Sequence, residues 1–247
     1  MVEFFAGFGG AQLALHRLGE GRPVILLHGL FSSAEMNWIK FGHAQALAVA
    51  GFEVLMPDLR THGDSAKPHD PASYLGDVLA LDALALVAQL GLIDYDLVGF
   101  SLGARTSVRA VLAGLRPRRL VLGGMGLGGL AGWGKRFDFF LDVIARYGTI
   151  RPGDPAYVAQ QFMKSMNTDR EAARLLLGTM TATAPADLAA ITMPTMVLCG
   201  AQDDDNGDPD ALAAALPDAV RVTIPGTHMS SVAQPEMGRE IVSFLTA

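Results

Sequence analysis

The sequence predicts an α/β fold in which a doubly wound, mostly parallel sheet carries a helical insertion, and three observations support this. Short, continuous apolar segments recur along the chain, as in strands whose two faces are both covered by helices. Helical patterns separate most of these segments, which predicts βαβ crossovers. Residues 125–190 contain no good strand pattern. Because connections between strands usually take about 2–6 residues, a stretch of this length predicts an insertion.

Length, composition and charge restrict the class of protein. The chain has 247 residues, of which 50% are hydrophobic and 18% are charged, so intrinsic disorder is excluded and a large core is possible. The formal net charge of −6 argues against a nucleic-acid partner held by phosphate contacts. No apolar run is long enough to span a bilayer and no secretory signal is recognisable, so we expect a cytoplasmic enzyme that acts on small molecules.

The predicted elements begin with a hairpin and continue with parallel strands. Val2–Phe5 and the alternating segment Gln12–Leu18 flank the turn Gly7–Gly10, which predicts an antiparallel pair at the sheet edge. Continuous apolar segments predict six central strands, at Val24–Leu27, Val54–Met56, Leu97–Gly99, Leu120–Leu122, Thr195–Leu198 and Val220–Ile224.

Helices are predicted from apolar periodicity and from the glycines that follow some of them. Those of the sheet domain are Trp38–Ala50, Tyr74–Leu90, Leu102–Ala113, Asp210–Leu216 and Pro235–Leu245. Those of the insertion are Phe137–Arg146, Ala156–Met166 and Arg170–Met180. Gly124–Gly129 matches the G-x-G-x-x-G pattern of dinucleotide sites, but no continuous helix pattern follows it, so we interpret it as a flexible lead into the insertion.

The motif that indicates chemistry is Gly99-Phe100-Ser101-Leu102-Gly103, which lies between a predicted strand and a predicted helix. This is the context of a nucleophile elbow, in which the chain reverses so sharply that the residues flanking the serine must be small. The hydroxyl of Ser101 would then be exposed at a helix N-terminus, where the dipole favours developing negative charge.

A nucleophilic serine needs a base, and the base needs an acid to orient it. His228 follows the last predicted strand, and Asp203 follows the strand before it. The chain order Ser101, Asp203, His228 is the order that such folds use, and all three lie at the carboxyl ends of predicted parallel strands. Asp204 is the alternative acid, and we favour Asp203 because of its spacing from the strand end.

The segment His28-Gly29-Leu30-Phe31 follows the first central strand and predicts the oxyanion hole. We expect the backbone N–H groups of Leu30 and Leu102 to donate to the developing oxyanion, with Phe31 as a substitute for Leu30. His28 is expected to support this loop rather than to transfer protons.

Together these motifs resemble the α/β-hydrolase fold superfamily over essentially the whole chain. The resemblance depends on His28-Gly29, the segment Asp58–Ser65, Gly99–Gly103, Asp203 and His228. Thr61 replaces the first glycine of the family's D-x-R-G-x-G-x-S motif. The resemblance implies a core domain of residues 1–124 and 191–247, with residues 125–190 as a helical cap.

The resemblance also implies the reaction. Related dehalogenases and epoxide hydrolases carry aspartate at the elbow, so Ser101 favours a serine hydrolase that cleaves a carboxylic ester or lactone. No metal or other cofactor is expected, the partner is a small ester-like molecule, and the oligomeric state is left open. The residues expected to line the substrate pocket are Phe31, Trp38, Met125 and Met229.

Two alternatives remain open at this stage. One is hydrolysis of a carbon–carbon bond in a diketo acid, and the other is a non-catalytic small-molecule receptor on the same fold. A diketo acid would require an arginine in the pocket, for which the candidates are Arg105, Arg146, Arg151 and Arg170.

Overall fold

The computed structural model describes residues 2–247, and within them eight strands form one sheet. The strands are β1 (Val2–Ala6), β2 (Gln12–Leu18), β3 (Arg22–Leu27), β4 (Phe52–Pro57), β5 (Asp96–Phe100), β6 (Leu120–Gly123), β7 (Thr195–Gly200) and β8 (Ala219–Ile224). Their order across the sheet is β1-β2-β4-β3-β5-β6-β7-β8. The strands from β4 to β8 in this order are parallel, whereas β1 and β2 pair antiparallel at one edge. The predicted fold class is confirmed.

Helices cover both faces of the sheet. In the described part of the chain the α-helices are α1 (His43–Val49), α2 (Val78–Leu90), α3 (Leu102–Leu112), α4 (Leu127–Ala131), α5 (Gly134–Ala145), α6 (Tyr157–Ser165), α7 (Arg170–Leu177), α8 (Pro209–Ala215), α9 (His228–Ser231) and α10 (Pro235–Thr246). Alternate residues of β3 point to opposite faces: Ile25 belongs to the apolar cluster that includes residues of α2, α3 and α8, whereas Val24 belongs to the cluster that includes residues of α1 and α10. The continuous apolar strands are therefore buried on both sides, as their composition predicts.

Two predicted helices begin later than the sequence indicates. The segment predicted as one helix from Trp38 to Ala50 is divided into a short π-helical turn, Glu35–Ile39, and α1, because Gly42 takes a left-handed conformation with φ of 81°. The helix predicted from Tyr74 begins only at Val78, after Asp77 with φ of 57°. In both cases a residue with positive φ directly precedes the helix. Apolar periodicity in the sequence gives no information about such a residue.

Residues 125–190 contain α4–α7 and a short 3₁₀ helix, Pro185–Ala190, and no strand. We call this the inserted segment, because it separates the neighbouring strands β6 and β7. Its helices enclose a separate apolar cluster that includes Phe140, Val143 and Met163 and also Phe31, which follows β3. Through Phe31 the inserted segment packs against the carboxyl edge of the sheet.

Candidate active site

Ser101 lies in the sharp turn between β5 and α3. Its φ of 53° and ψ of −110° place it outside the regions that most residues adopt. A Cβ atom on Gly99 would collide with the backbone of Gly103, and one on Gly103 would collide with the carbonyl oxygen of Leu27. The small residues of the motif are therefore required by close approach of the backbone, and the turn presents the Ser101 hydroxyl to the cavity described below.

The structure brings Ser101, His228 and Asp203 together, although they are far apart in the chain. His228 Nε2 lies 3.0 Å from Ser101 Oγ. On the other side of the ring, Nδ1 lies 3.0 and 3.1 Å from the two carboxylate oxygens of Asp203, whose side chain is 2% exposed. Asp204 is exposed, and no hydrogen bond joins it to His228 among the described residues. The geometry thus selects Asp203 as the partner of the histidine.

The loop that carries Asp203 is held by the glycine-rich segment after β6. Gly129 N–H donates to the carbonyl oxygen of Asn206 at 2.7 Å, and Asn206 Nδ2 donates to the carbonyl oxygen of Gly124 at 2.7 Å. A Cβ atom on Gly126 would collide with the backbone of Gly207. The glycines of the G-x-G-x-x-G pattern therefore allow two loops to pack backbone against backbone, a role that the sequence pattern alone does not show.

Leu30 and Leu102, the predicted oxyanion donors, line a small recess together with Ser101. Leu102 is the first residue of α3, so its N–H group has no acceptor within the helix. Neither N–H group has an acceptor elsewhere in residues 2–247. Phe31 N–H instead donates to His62 Nε2 at 3.0 Å, so it is not free to replace Leu30. Leu30 and Leu102 therefore stay the candidate pair of oxyanion donors.

Two buried histidines, His28 and His62, support the loop that carries Leu30 and Phe31. His62 Nδ1 donates to the carbonyl oxygen of Arg60 at 2.9 Å, which leaves Nε2 to accept from Phe31. His28 Nδ1 donates to the carbonyl oxygen of Gly29 at 2.8 Å, and its Nε2 accepts from Leu59 N–H at 3.0 Å. Burial lowers the pKa of both rings, that of His62 to about 3. Both histidines are thus neutral and each accepts a backbone N–H.

His62 should make the protein less stable as the pH falls. Its pKa is about 3 when folded and 6.5 when exposed, so the unfolded chain binds the proton more readily. The stability is fully present above pH 6.5 and is lost progressively towards pH 3. At about pH 5 we expect a loss of about 2 kcal/mol from this residue. Urea unfolding of wild type and His62→Gln at several pH values measures the difference in slope.

His69→Gln is the control for that experiment. His69 is exposed and binds Asp169 at 2.9 Å, which raises its pKa, so its linkage to pH has the opposite sign. We expect the pH slope to be shallower in His62→Gln and not in His69→Gln. Equal slopes for wild type and His62→Gln would contradict the burial of a neutral His62.

A cavity of about 640 Å³ lies in front of Ser101 and His228. One side comes from the loops at the carboxyl edge of the sheet and the other from α5 and α6 of the inserted segment. Most of its lining is apolar, including Phe31, Phe100, Phe139, Phe140, Phe162 and Met229. It can therefore accept a small molecule with an apolar body next to the serine hydroxyl.

Of the four residues predicted to line the pocket, Phe31 and Met229 do so. The prediction for Trp38 is wrong: the side chain is 1% exposed and packs in the core with α1 and α10, on the other face of the sheet from α3. The prediction for Met125 is wrong for this cavity as well. Met125 is buried and borders a separate, small recess of about 10 Å³ beside Ser101.

None of the four arginines considered from sequence lines the cavity, namely Arg105, Arg146, Arg151 and Arg170. Arg105 instead donates to the carbonyl oxygens of Gly129 and Thr181, each at 2.5 Å, which fastens the inserted segment to α3. The cationic side chains in the lining are Lys135 and Arg136. In the sequence, Lys135 and Arg136 directly precede the aromatic residues of the predicted helix Phe137–Arg146. This basic pair could have indicated them, but apolar periodicity does not show which face of the helix meets the sheet.

Among residues 2–247, His16, Asp58 and Asp64 form the group of side chains close enough to hold a metal ion. The Asp58 carboxylate accepts from the backbone N–H groups of Ala34 and Asp64, at 2.8 and 2.9 Å, and contacts His16 Nε2 at 3.3 Å. These hydrogen bonds give Asp58 a structural role, because they join the segment after β3 to the loop of residues 58–65. Within the described residues no helix is long and apolar enough to cross a membrane.

Comparison with known proteins agrees with this fold. The model of the alpha/beta hydrolase family matches residues 24–241. The sn-1-specific diacylglycerol lipase ABHD11 of Mus musculus is 41% identical over 95 residues, which are 38% of this chain and 28% of that protein. The non-heme haloperoxidase of Rhodococcus erythropolis is 29% identical over 86% of this chain and 85% of its own.

A solved structure of a hydrolase from Pseudomonas aeruginosa PA01 is also similar, with a TM-score of 0.79 and 26% identity over 100% of this chain and 98% of that one. The first curated relatives are matched over only 16–34% of their own length. The sequence similarity to these relatives is thus confined to a part of each protein.

Proposed function

Since this chain belongs to the alpha/beta hydrolase family, we propose that it is a serine hydrolase that cleaves carboxylic esters or lactones through an acyl-enzyme intermediate. The observation that supports this most directly is the chain of hydrogen bonds from Ser101 through His228 to Asp203, at 3.0 Å for each link, at one end of an apolar cavity. Nucleophile, base and orienting acid are then all within reach of one another.

In the first half-reaction Ser101 Oγ attacks the carbonyl carbon of the ester while neutral His228 Nε2 takes its proton. Asp203 holds the ring with Nδ1 protonated and stabilises the imidazolium that forms. The N–H groups of Leu30 and Leu102 donate to the oxygen on which negative charge develops. His228 then returns the proton to the leaving alcohol, and the acyl group stays on Ser101.

In the second half-reaction a water molecule gives its proton to His228 and attacks the acyl carbon. The tetrahedral intermediate collapses, Ser101 regains its proton from His228, and the carboxylic acid leaves. The net reaction adds one water across the ester bond. We assign residues 125–190 as the cap of this site, because α5 and α6 supply the wall of the cavity that faces Ser101.

Hydrolysis of a carbon–carbon bond in a diketo acid is the second candidate. Arg136 in the lining favours it, because such substrates carry a carboxylate for which an arginine is a suitable partner. The same triad would serve, so the two functions differ in the substrate and not in the catalytic residues. Receptor activity without turnover is disfavoured by the complete set of hydrogen bonds around Ser101.

The experiment is covalent labelling combined with a substrate panel. We expect a fluorophosphonate probe to label wild type, and p-nitrophenyl esters of short and medium acyl chains to be hydrolysed. Ser101→Ala should lose both the labelling and the turnover. Turnover confined to diketo acids would favour the second candidate. A folded protein that is neither labelled nor active on any of these compounds would contradict the serine hydrolase and favour a receptor.

A further inference from the structure

The cavity in front of Ser101 contains charges that the proposed mechanism does not use. Lys135 and Arg136, in the first turn of α5, line it together with one acidic side chain of the described residues, Asp205. The lining therefore carries a net formal charge of +1 (two cations and one carboxylate), whereas the whole chain carries −6. The rest of the wall is mostly aromatic and aliphatic, so the cationic side chains are the feature that can select among apolar ligands.

Arg136 forms a loose ion pair with the exposed carboxylate of Asp205, and among residues 2–247 only its Nη1 donates a hydrogen bond. Its Nη1 donates to the backbone carbonyl oxygen of Asp205 at 2.7 Å, but the same nitrogen lies 3.7 Å from Asp205 Oδ2. The guanidinium lies over the Phe140 ring, 5.5 Å from its centre. Burial lowers the pKa of Arg136, although the carboxylates of Asp205 and Asp203 act in the opposite direction. Arg136 Nε and Nη2 donate no hydrogen bond within the described residues, so a bound carboxylate can accept from them.

The position of Arg136 brings it close to the reacting centre. Arg136 borders both the cavity and the small recess beside Ser101, and that recess is also lined by Leu30 and Leu102. His228 lines the cavity but not the recess. The leaving alcohol must lie next to His228, which protonates it. The recess, of about 10 Å³, is too small for an acyl chain, so the acyl group must lie in the cavity that Arg136 and Lys135 line.

We propose that Arg136, assisted by Lys135, binds a carboxylate at the end of the acyl group, so that the preferred substrates are half-esters of dicarboxylic acids. This rests on the proposed function, since it specifies the acyl group that Ser101 receives. The reaction consumes one half-ester and one water and yields a dicarboxylate and an alcohol. The apolar wall contacts the methylene or aromatic part between the two carbonyl groups.

The test compares two esters that differ only at the end of the acyl chain. Mono-p-nitrophenyl adipate carries a carboxylate where p-nitrophenyl hexanoate carries a methyl group. We expect wild type to have the higher kcat/KM on the adipate half-ester. Arg136→Gln should lower kcat/KM on the half-ester by about 10- to 100-fold, as for loss of a hydrogen bond to a charged group, and on the hexanoate by no more than about threefold.

Three further variants sharpen the result. Arg136→Lys keeps the charge and should restore a large part of the preference. Lys135→Gln should have a smaller effect, because Lys135 is exposed. Arg174→Gln is the matched control: Arg174 is exposed on α7 of the same segment and does not line the cavity, so it should leave both substrates unchanged. Thermal unfolding and the rate of fluorophosphonate labelling show that each variant is folded.

An equal fall on both esters in Arg136→Gln would overturn the proposal and would mean that Arg136 only positions the loop of Asp205. A wild type without preference for the half-ester would overturn it too. If no ester is hydrolysed at all, calorimetry still tests the carboxylate site. Ser101→Ala should then bind the half-ester more tightly than Ser101→Ala/Arg136→Gln does, and equal binding would refute the site independently of the proposed reaction.

Discussion

Asp203→Asn is expected to lower kcat on p-nitrophenyl esters by about 10⁴-fold, with much less effect on folding. In the wild type both carboxylate oxygens lie within 3.1 Å of His228 Nδ1, which keeps the proton on Nδ1 and leaves Nε2 free to accept from Ser101. An amide in this place can present an N–H group to Nδ1. The ring would then carry its proton on Nε2, where it cannot take the proton of the nucleophile.

Asp204→Asn is the matched control for this substitution. The two residues are adjacent, the change of charge is the same, and Asp204 is exposed. We expect kcat of Asp204→Asn to stay within about twofold of wild type, in the range of ordinary surface substitutions. Steady-state kinetics and the rate of fluorophosphonate labelling measure both effects. Loss of activity in Asp204→Asn alone would show that the acid is Asp204 and that the loop rearranges in solution.

Asp82→Ala should lower the free energy of unfolding by about 3–5 kcal/mol, because it leaves a buried charge without its partner. Arg60 is 2% exposed and binds Asp82 through two hydrogen bonds, Nε at 2.9 Å and Nη2 at 2.7 Å. The same guanidinium donates to the carbonyl oxygens of Ser73 and Phe8, at 3.0 and 2.7 Å. The pair therefore joins the loop after β4 to α2 and to the hairpin, and removing the carboxylate affects all of these contacts.

The exposed pair of Asp142 and Arg146 serves as the comparison. Their side chains are 51% and 41% exposed; Asp142 lies on α5, and Arg146, four residues later, directly follows the end of that helix. Asp142→Ala should therefore cost no more than about 1 kcal/mol. Urea unfolding of both variants at pH 7 measures the two losses of unfolding free energy. The comparison requires that both variants have the same slope of free energy against urea concentration. Similar losses for Asp82→Ala and Asp142→Ala would contradict the structural role of the buried pair.

The fold was predictable from sequence wherever burial forces a local pattern. Strands such as β3 and β7 are covered on both faces, so their sequences are continuously apolar and could be recognised without any structure. Helix starts were less predictable. Gly42 and Asp77 adopt positive φ and delay α1 and α2, and the apolar periodicity of the neighbouring residues carries no information about this.

The candidate triad was predictable for a similar reason. Each of its residues follows a recognisable parallel strand, and the carboxyl ends of parallel strands meet at one edge of a sheet. The elbow around Ser101 also has a steric signature, since Gly99 and Gly103 have no room for a Cβ atom. The role of the glycines from 124 to 129 was not predictable, because it depends on contact with the loop of residues 206–208, about 80 positions further along the chain.

By itself the sequence determined the fold class, the family resemblance and a short set of residues for a triad and an oxyanion hole, because backbone geometry restricts the residue types at those positions. Only the tertiary structure decided which side chains surround the serine. It placed Trp38 and Met125 outside the cavity and Lys135 and Arg136 inside it. The physical reason is that the lining depends on how α5 and α6 pack over the sheet, and this packing is set by contacts between distant segments, such as Arg105 with the carbonyl oxygens of Gly129 and Thr181.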